Sequence, residues 1–257
     1  MKTIYVIKIG GNIIDDEKKL NKFLKELSKL KENKILVHGG GKLATQLSEK
    51  LGIQTTMVDG RRITDAETLK IATMVYAGWI NKSIVAKLNA YNNKAIGLCG
   101  ADLQLILSEK RKKGNIDYGF VGDIIQKEVN GKKLLELLST NSLPVIAPIT
   151  VTKKGQLLNT NADSIASSLA ISLSKYSKTK LIYCFEKKGV LHNEKVIRKI
   201  NRKSYQDLVN NKVVSDGMIP KLDNAFLAIE QGVNEVIIGH AASIKNLIDS
   251  KDGTSIA

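Results

Sequence analysis

Ile35-Leu36-Val37-His38-Gly39-Gly40-Gly41-Lys42 is the stretch from which the fold is read. Its apolar residues make a short buried strand, its three glycines strip the following turn of side chains, and Leu43, Leu47 and Leu51 then recur at helical spacing. The pattern predicts a strand, a bare turn and a helix N-terminus. Such a turn presents backbone N–H groups beside the positive end of a helix dipole, where phosphate or carboxylate oxygens fit and a Cβ would collide. A tight loop that only needs positive φ is the plainer alternative, but one glycine usually suffices for that.

Upstream, residues 4–9 read as a second buried strand, ending in Lys8-Ile9-Gly10-Gly11. Lys8 is out of place in such a strand. It either snorkels to solvent from an edge or binds an anion at the strand's carboxyl end. Residues 17–31 form an amphipathic helix between the two strands, with Leu20, Phe23, Leu24, Leu27 and Leu30 on one face. Strand, helix and strand make a right-handed βαβ unit, so Lys8, Gly10, Gly11 and residues 39–41 converge on one edge of a parallel sheet.

Two nucleotide signatures are tested at this turn. A Walker loop needs a glycine five positions before Gly41 and Ser or Thr after Lys42, where the chain has Leu36 and Leu43. The dinucleotide spacing G-x-G-x-x-A is met by Gly39, Gly41 and Ala44, with Asp59 further on, so a nicotinamide-dependent dehydrogenase is a rival reading.

Residues 53–58 read as a strand leading to Gly60-Arg61-Arg62-Ile63-Thr64-Asp65 and a helix over 66–91. Paired arginines near the glycine turns suit a carboxylate-bearing substrate or simply charge the surface. Thr64 and Asp65 look like the helix cap, with Glu67 completing a capping box with Thr64. Residues 103–127 read as hairpins forming a lid, including one over 119–124. Asn159-Thr160-Asn161-Ala162-Asp163 opens another helix. Asn161 suits the N-cap, and the cluster also suits a corner where an amide orients substrate and a carboxylate positions cations. Lys221 sits near the start of a helix entered through Pro220, where the dipole disfavours a cation unless an anion is present.

The 257 residues are 43% hydrophobic, enough for a large core. The apolar stretch 71–80 is too short and interrupted to span a bilayer. No signal-peptide pattern precedes the first strand, and Cys99 and Cys184 lack ligand or redox spacing, which together predict a cytoplasmic setting. The net charge of +15 raises nucleic acid as a partner. Against it, only 5 of the 40 basic residues are Arg, aromatics make up 5%, and the lysines are scattered over helix faces. No His/Cys/Asp cluster offers a metal cage, and His38, His192 and His240 are too scattered for a triad, so His38 reads as structural.

With Lys8 to Gly11, His38 to Gly41, Gly60 to Thr64, Asn159 to Asp163 and Gly217 to Lys221 in this order, the chain resembles the amino acid kinase family over essentially its whole length. The resemblance implies an α/β fold, a three-layer αβα sandwich around a mainly parallel sheet. It implies two lobes: 1–178 for the acceptor, with the lid hairpins, and 179–257 for the nucleotide. It implies ATP, with Mg²⁺ arriving on it, and phosphorylation of the γ-carboxylate of N-acetyl-L-glutamate in arginine biosynthesis. N-succinyl-L-glutamate is the alternative acceptor.

By the same resemblance, Lys8 and Lys221 stabilise the transferring phosphoryl group and Asp163 holds both lysines. Gly10 and Gly11 contact phosphate, and Gly40, Gly41, Arg62 and Asn159 bind the acceptor. Glu186, Lys187, Lys188, Gly189, Val190 and Leu191, with Val213, Val214 and Ser215, line the nucleotide site. The family's usual aspartate and small residue in this last turn are replaced by Glu186-Lys187-Lys188. The chain also enters its first strand directly, without the extra helix of arginine-inhibited hexameric relatives, which implies an arginine-insensitive homodimer.

Overall fold

The computed structural model describes residues 3–58, 61–112, 114–214 and 218–257. The chain opens with β1 (Ile4–Ile9), turns through α1 (Gly11–Ile14) into α2 (Glu17–Ser28), and returns as β2 (Asn33–His38) and α3 (Gly41–Lys50). A ribbon of β3 (Met57–Val58) and β4 (Arg61–Arg62) leads to one long rod, made of α4 (Ala66–Thr73), a π-helical segment (Met74–Ile80) and α5 (Asn81–Ala90). Then come β5 (Lys94–Leu98), β6 (Ile106–Lys110), β7 (Gly122–Val129), α6 (Gly131–Ser139), β8 (Ser142–Ile146), β9 (Ile149–Val151) and β10 (Leu157–Asn159). α7 (Ala162–Ser174) and β11 (Thr179–Phe185) precede the ribbon of β12 (Leu191–His192) and β13 (Lys195–Val196). The chain finishes with β14 (Lys199–Ile200), α8 (Arg202–Asn210), α9 (Ile219–Glu230), β15 (Glu235–His240), α10 (Ile244–Ile248) and β16 (Thr254–Ile256).

Eight strands form one sheet in the order β14-β16-β15-β11-β1-β2-β8-β5. From β15 to β5 every pairing is parallel; β16 alone is antiparallel to its neighbour β15. Alternation along each strand sends side chains to two separate cores, because successive Cβ atoms point to opposite faces. Ile4 and Val6 of β1, with Ile35 and Val37 of β2, pack under α6 to α9, whereas Tyr5, Ile7, Ile9 and Leu36 pack under α1 to α5 and α10. The result is the expected αβα sandwich. The strands of the segment expected to form a lid, β6 and β7, lie in a smaller sheet of order β10-β9-β6-β7.

Several boundaries differ from the sequence reading for local reasons. The helix expected over 17–31 ends at Ser28. The strand expected over 53–58 shrinks to Met57–Val58, because the Ile53 N–H closes the end of α3 on the Ser48 carbonyl at 2.9 Å. No capping box joins Thr64 to Glu67: Asp65 caps α4 by accepting from the Thr68 N–H, and the buried Thr64 hydroxyl donates to the Arg62 carbonyl. Residues 119–121 do not form a hairpin of their own. Gly119 bridges to Thr64 and Val121 to Asn159, tying this lid segment to the residues before α4 and to the end of β10. The rod over 66–90 widens at Met74–Ile80, a distortion that hydrophobic periodicity does not reveal.

Candidate active site

Lys8 keeps the alternation of Ile4 and Val6, so its side chain points to the α7 face of the sheet. There it meets the first turn of α7, which Asn161 caps by accepting from the Asp163 and Ser164 N–H groups. Lys8 Nζ lies 2.7 Å from Asp163 Oδ1, with both side chains mostly buried. The contact is close but poorly aligned as a hydrogen bond, so it is an ion pair that leaves Asp163 Oδ1 otherwise unpartnered. Lys221, two residues into α9, comes down on the same cavity, and burial lowers its pKa while the Asp163 charge opposes that shift.

This cavity, about 430 Å³, is bounded by Lys8, Gly10, Gly11, Asp163, Phe185, Glu186, Lys187, Gly189 and Lys221 among others. A second cavity of about 510 Å³ lies on the other side of the α7 first turn, against residues 39–41, Arg62, Asn159 and the lid residues Arg111 and Asp123. The two flank one turn: residues 161, 162 and 164 face the second cavity and residue 163 the first.

Gly40 is the N-cap of α3 at φ +144°, and a Cβ there would stand 2.2 Å from Ile80 Cδ1 and 3.3 Å from the Tyr76 ring. Only glycine fits that corner. No side chain caps the turn, so its amides are left to the cavity. His38 fixes the turn from beneath. It is fully buried, its Nδ1 donates to the Gly39 carbonyl, and its Nε2 accepts from Asn81, which also donates to the Val145 carbonyl. Burial pushes its pKa down to about 4, so the ring stays neutral.

Arg62 is 8% exposed; its Nη2 donates to the Gly41 carbonyl at 2.9 Å and to Thr45 Oγ1 at 2.7 Å. Its Nη1 is buried with no partner. Asn159 donates from its amide to Thr64 Oγ1.

Not every residue expected in the nucleotide turn lies at the first cavity. Glu186, Lys187 and Gly189 line it, but Val190 and Val214 are core residues, 3% and 6% exposed, and Lys188, Leu191 and Val213 stand away from it. Ser215 falls outside the described residues. Glu186 is drawn to Asn12, whose amide donates to it at 2.9 Å, and lies 4.0 Å from Lys19. Nothing in the sequence singles out Phe185, because an aromatic residue ending a buried strand reads as core.

An αβα sandwich whose cleft sets two lysines and a carboxylate against glycine turns defines a phosphotransferase of the kinase type, built for charge rather than covalent chemistry. The chain belongs to the amino acid kinase family, whose sequence model matches residues 3–240. It is 55% identical over 254 residues to the acetylglutamate kinase of Cytophaga hutchinsonii, covering 97% of this chain and 96% of that one. With the acetylglutamate kinase of Parabacteroides distasonis it shares 48% over 248 residues, 95% of this chain and 96% of that one. Among solved structures, carbamate kinase from Giardia lamblia bound to AMP-PNP superposes with a TM-score of 0.71 at 16% identity, covering 99% of this chain and 98% of that one. That likeness concerns the fold. Membership in this family removes the dehydrogenase reading of Gly39, Gly41 and Ala44.

Proposed function

We propose that the chain transfers the γ-phosphoryl group of ATP to the γ-carboxylate of N-acetyl-L-glutamate, a step of arginine biosynthesis. The carboxylate oxygen attacks the γ-phosphorus, the bond to the β-phosphate oxygen breaks, and ADP leaves behind an acyl phosphate. The observation that carries this reading is the pair of cavities flanking the first turn of α7, one lined by Lys8, Asp163 and Lys221 and the other by Arg62. In it, Lys8 and Lys221 neutralise the charge spreading over the transferring group, while Asp163 fixes Lys8. Gly10 and Gly11 face the phosphates. Gly40, Gly41, Arg62 and Asn159 bind the acceptor, Arg62 through its unpartnered Nη1. Residues 1–178 hold the acceptor and residues 179–257 the nucleotide, with Glu186 to Gly189 at its mouth.

Mg²⁺ belongs to this reading as a passenger of the nucleotide phosphates, where it neutralises charge. Among the described residues no group of three or more His, Cys, Asp or Glu could cage it, and Asp163 is already paired with Lys8, so the donor set fits a metal held by the phosphates.

The reading extends to a homodimer in the cytoplasm. Met74 and Trp79 of the long rod are 55% and 73% exposed, and Ile96 lies on β5, the open edge of the main sheet. An apolar face beside an unpaired strand edge suits a second copy of the chain. Cys99 and Cys184 are free thiols, and no described helix is long and apolar enough to cross a membrane.

The test is ATP turnover with N-acetyl-L-glutamate, and with N-succinyl-L-glutamate in parallel, trapping the acyl phosphate with hydroxylamine. Hydroxamate formation that falls at least a hundredfold in Lys8→Ala is expected, on the order of what loss of one oxyanion-stabilising group costs. Absence of hydroxamate with both acceptors refutes the reading.

A further inference from the structure

Resting on the kinase reading, we propose that Phe185 is a positioning residue: its ring face is the platform that holds both lysines of the phosphoryl site and keeps Lys221 charged and aimed into the cavity. Lys221 Nζ stands 4.2 Å from the ring centroid and Lys8 Nζ 5.3 Å. Both distances are within the range in which an aromatic quadrupole attracts an ammonium ion.

The need for such a platform follows from the charges. Lys8, Lys187 and Lys221 share this cavity with two carboxylates, Asp163 and Glu186. Asp163 is in contact with Lys8 at 2.7 Å, and Glu186 is turned to Asn12 and Lys19. Among the described residues Lys221 has no carboxylate within 4 Å and no side-chain hydrogen bond; the Phe185 face is its direct contact. Half-buried and repelled by Lys8 and Lys187, the Lys221 ammonium is otherwise stabilised only through space by Asp163. A ring face offers negative potential without a formal charge that would repel incoming phosphates.

The ring is itself held. Phe185 ends β11 two residues after Tyr183, on the same face, and the two rings stack with centroids 6.1 Å apart at 16°. A Cβ on Gly10 would lie 3.7 Å from Phe185 Cδ1, so the ring also packs beneath the first glycine turn. Tyr183 in turn donates from its hydroxyl to the Asp163 carbonyl at 3.3 Å. Ring, carboxylate and lysines thus share one rigid support.

The experiment replaces Phe185 by mono-, di- and trifluorinated phenylalanine, which weakens the ring quadrupole stepwise at nearly constant shape, so folding is not at issue. Steady-state turnover is then measured at each step. We expect log kcat to fall with each fluorine, by roughly 2- to 30-fold in total for a contact of this kind, with the acceptor KM within twofold. The alkaline limb of the kcat profile should move to lower pH as Lys221, faced by Asp163, Lys8 and Lys187, loses its ring. Phe185→Leu should lose at least as much as the trifluorinated form, and Phe185→Tyr should recover most of that loss. A flat series, or equal losses in the Leu and Tyr variants, overturns the inference. Wild-type enzyme that makes no acyl phosphate refutes the kinase reading instead, so the two failures are distinguishable.

Discussion

Arg62→Lys keeps the positive charge at the cavity proposed for the acceptor and removes the guanidinium fork. In the wild type, two bonds from Nη2 fix the guanidinium on Gly41 and Thr45, and they leave Nη1 buried and unpaired. A buried donor without a partner costs about 1–3 kcal/mol, and a hydrogen bond to a charged group contributes about 1.5–3 kcal/mol. A carboxylate arriving at Nη1 makes that charged hydrogen bond, and it is this contribution that sets the loss, since a lysine cannot hold Gly41, Thr45 and the carboxylate together. The acceptor KM should therefore rise about 10- to 150-fold. On the proposed reading Arg62 takes the acceptor's α-carboxylate and not the reacting γ-carboxylate, so ground state and transition state lose alike, and kcat should change by no more than about threefold. Hydroxamate formation against acceptor concentration gives both constants, and thermal unfolding of the variant separates the cost of losing the Gly41 and Thr45 bonds. An unchanged KM, or a loss confined to kcat, refutes the assignment of Arg62 to the acceptor.

Gly40→Ala should destabilise the protein by about 2–5 kcal/mol, from a strained φ plus overpacking on Ile80 and Tyr76, read by urea unfolding; a variant of wild-type stability would contradict the close packing at that turn. His38 makes stability depend on acid. Its folded pKa of about 4 lies below the ordinary 6.5, so the unfolded chain binds a proton that the folded one refuses, and stability rises with pH across that window. The contribution, about 3 kcal/mol, is fully present above pH 6.5 and lost as pH falls through 4; His38→Gln should flatten the slope by about one proton, and identical slopes would refute it. Trp79→Glu should convert a dimer into a monomer by light scattering without lowering turnover per site more than about twofold, since an apolar contact face does not tolerate a buried unpaired charge. A wild-type monomer would remove the dimer proposal.

How much of this could be read in advance depends on the kind of signal. Lys8 was visible because a lysine breaks an otherwise apolar strand, and Gly39 to Gly41 because consecutive glycines have no use in a core. Asp163 and Lys221 were visible by their places at helix starts, and all of these now border the same pair of cavities. Phe185 was hidden by its ordinary appearance: its distinction is the two ammonium groups above its ring, a relation between β1, β11 and α9 that no local window contains. Val190 and Val214, which the family resemblance implies for the nucleotide site, have side chains buried in the core. The choice between Thr64 and Asp65 as helix cap turned on one residue of phase, decided by Phe120 of the distant lid donating its N–H to the Thr64 carbonyl at 2.6 Å. The π-helical segment leaves no mark in composition; two of its residues, Tyr76 and Ile80, stand where a Cβ on Gly40 would fall, a tertiary contact that no local window contains.

β1 lies in the middle of the sheet, between β2 and β11. One of its edges is closed early in synthesis by β2. The other waits for Thr179 to Cys184, which pair with Ile4 to Ile9 only after well over half the chain has left the ribosome. During that interval an apolar strand stands with an open hydrogen-bonding edge, a template for intermolecular pairing. Lys8 sits on that strand, so its surroundings are completed only when β1 has met β11 and the cavity has gained Lys221 of α9. Nascent chains stopped before β11 should accordingly be the species that chaperones hold.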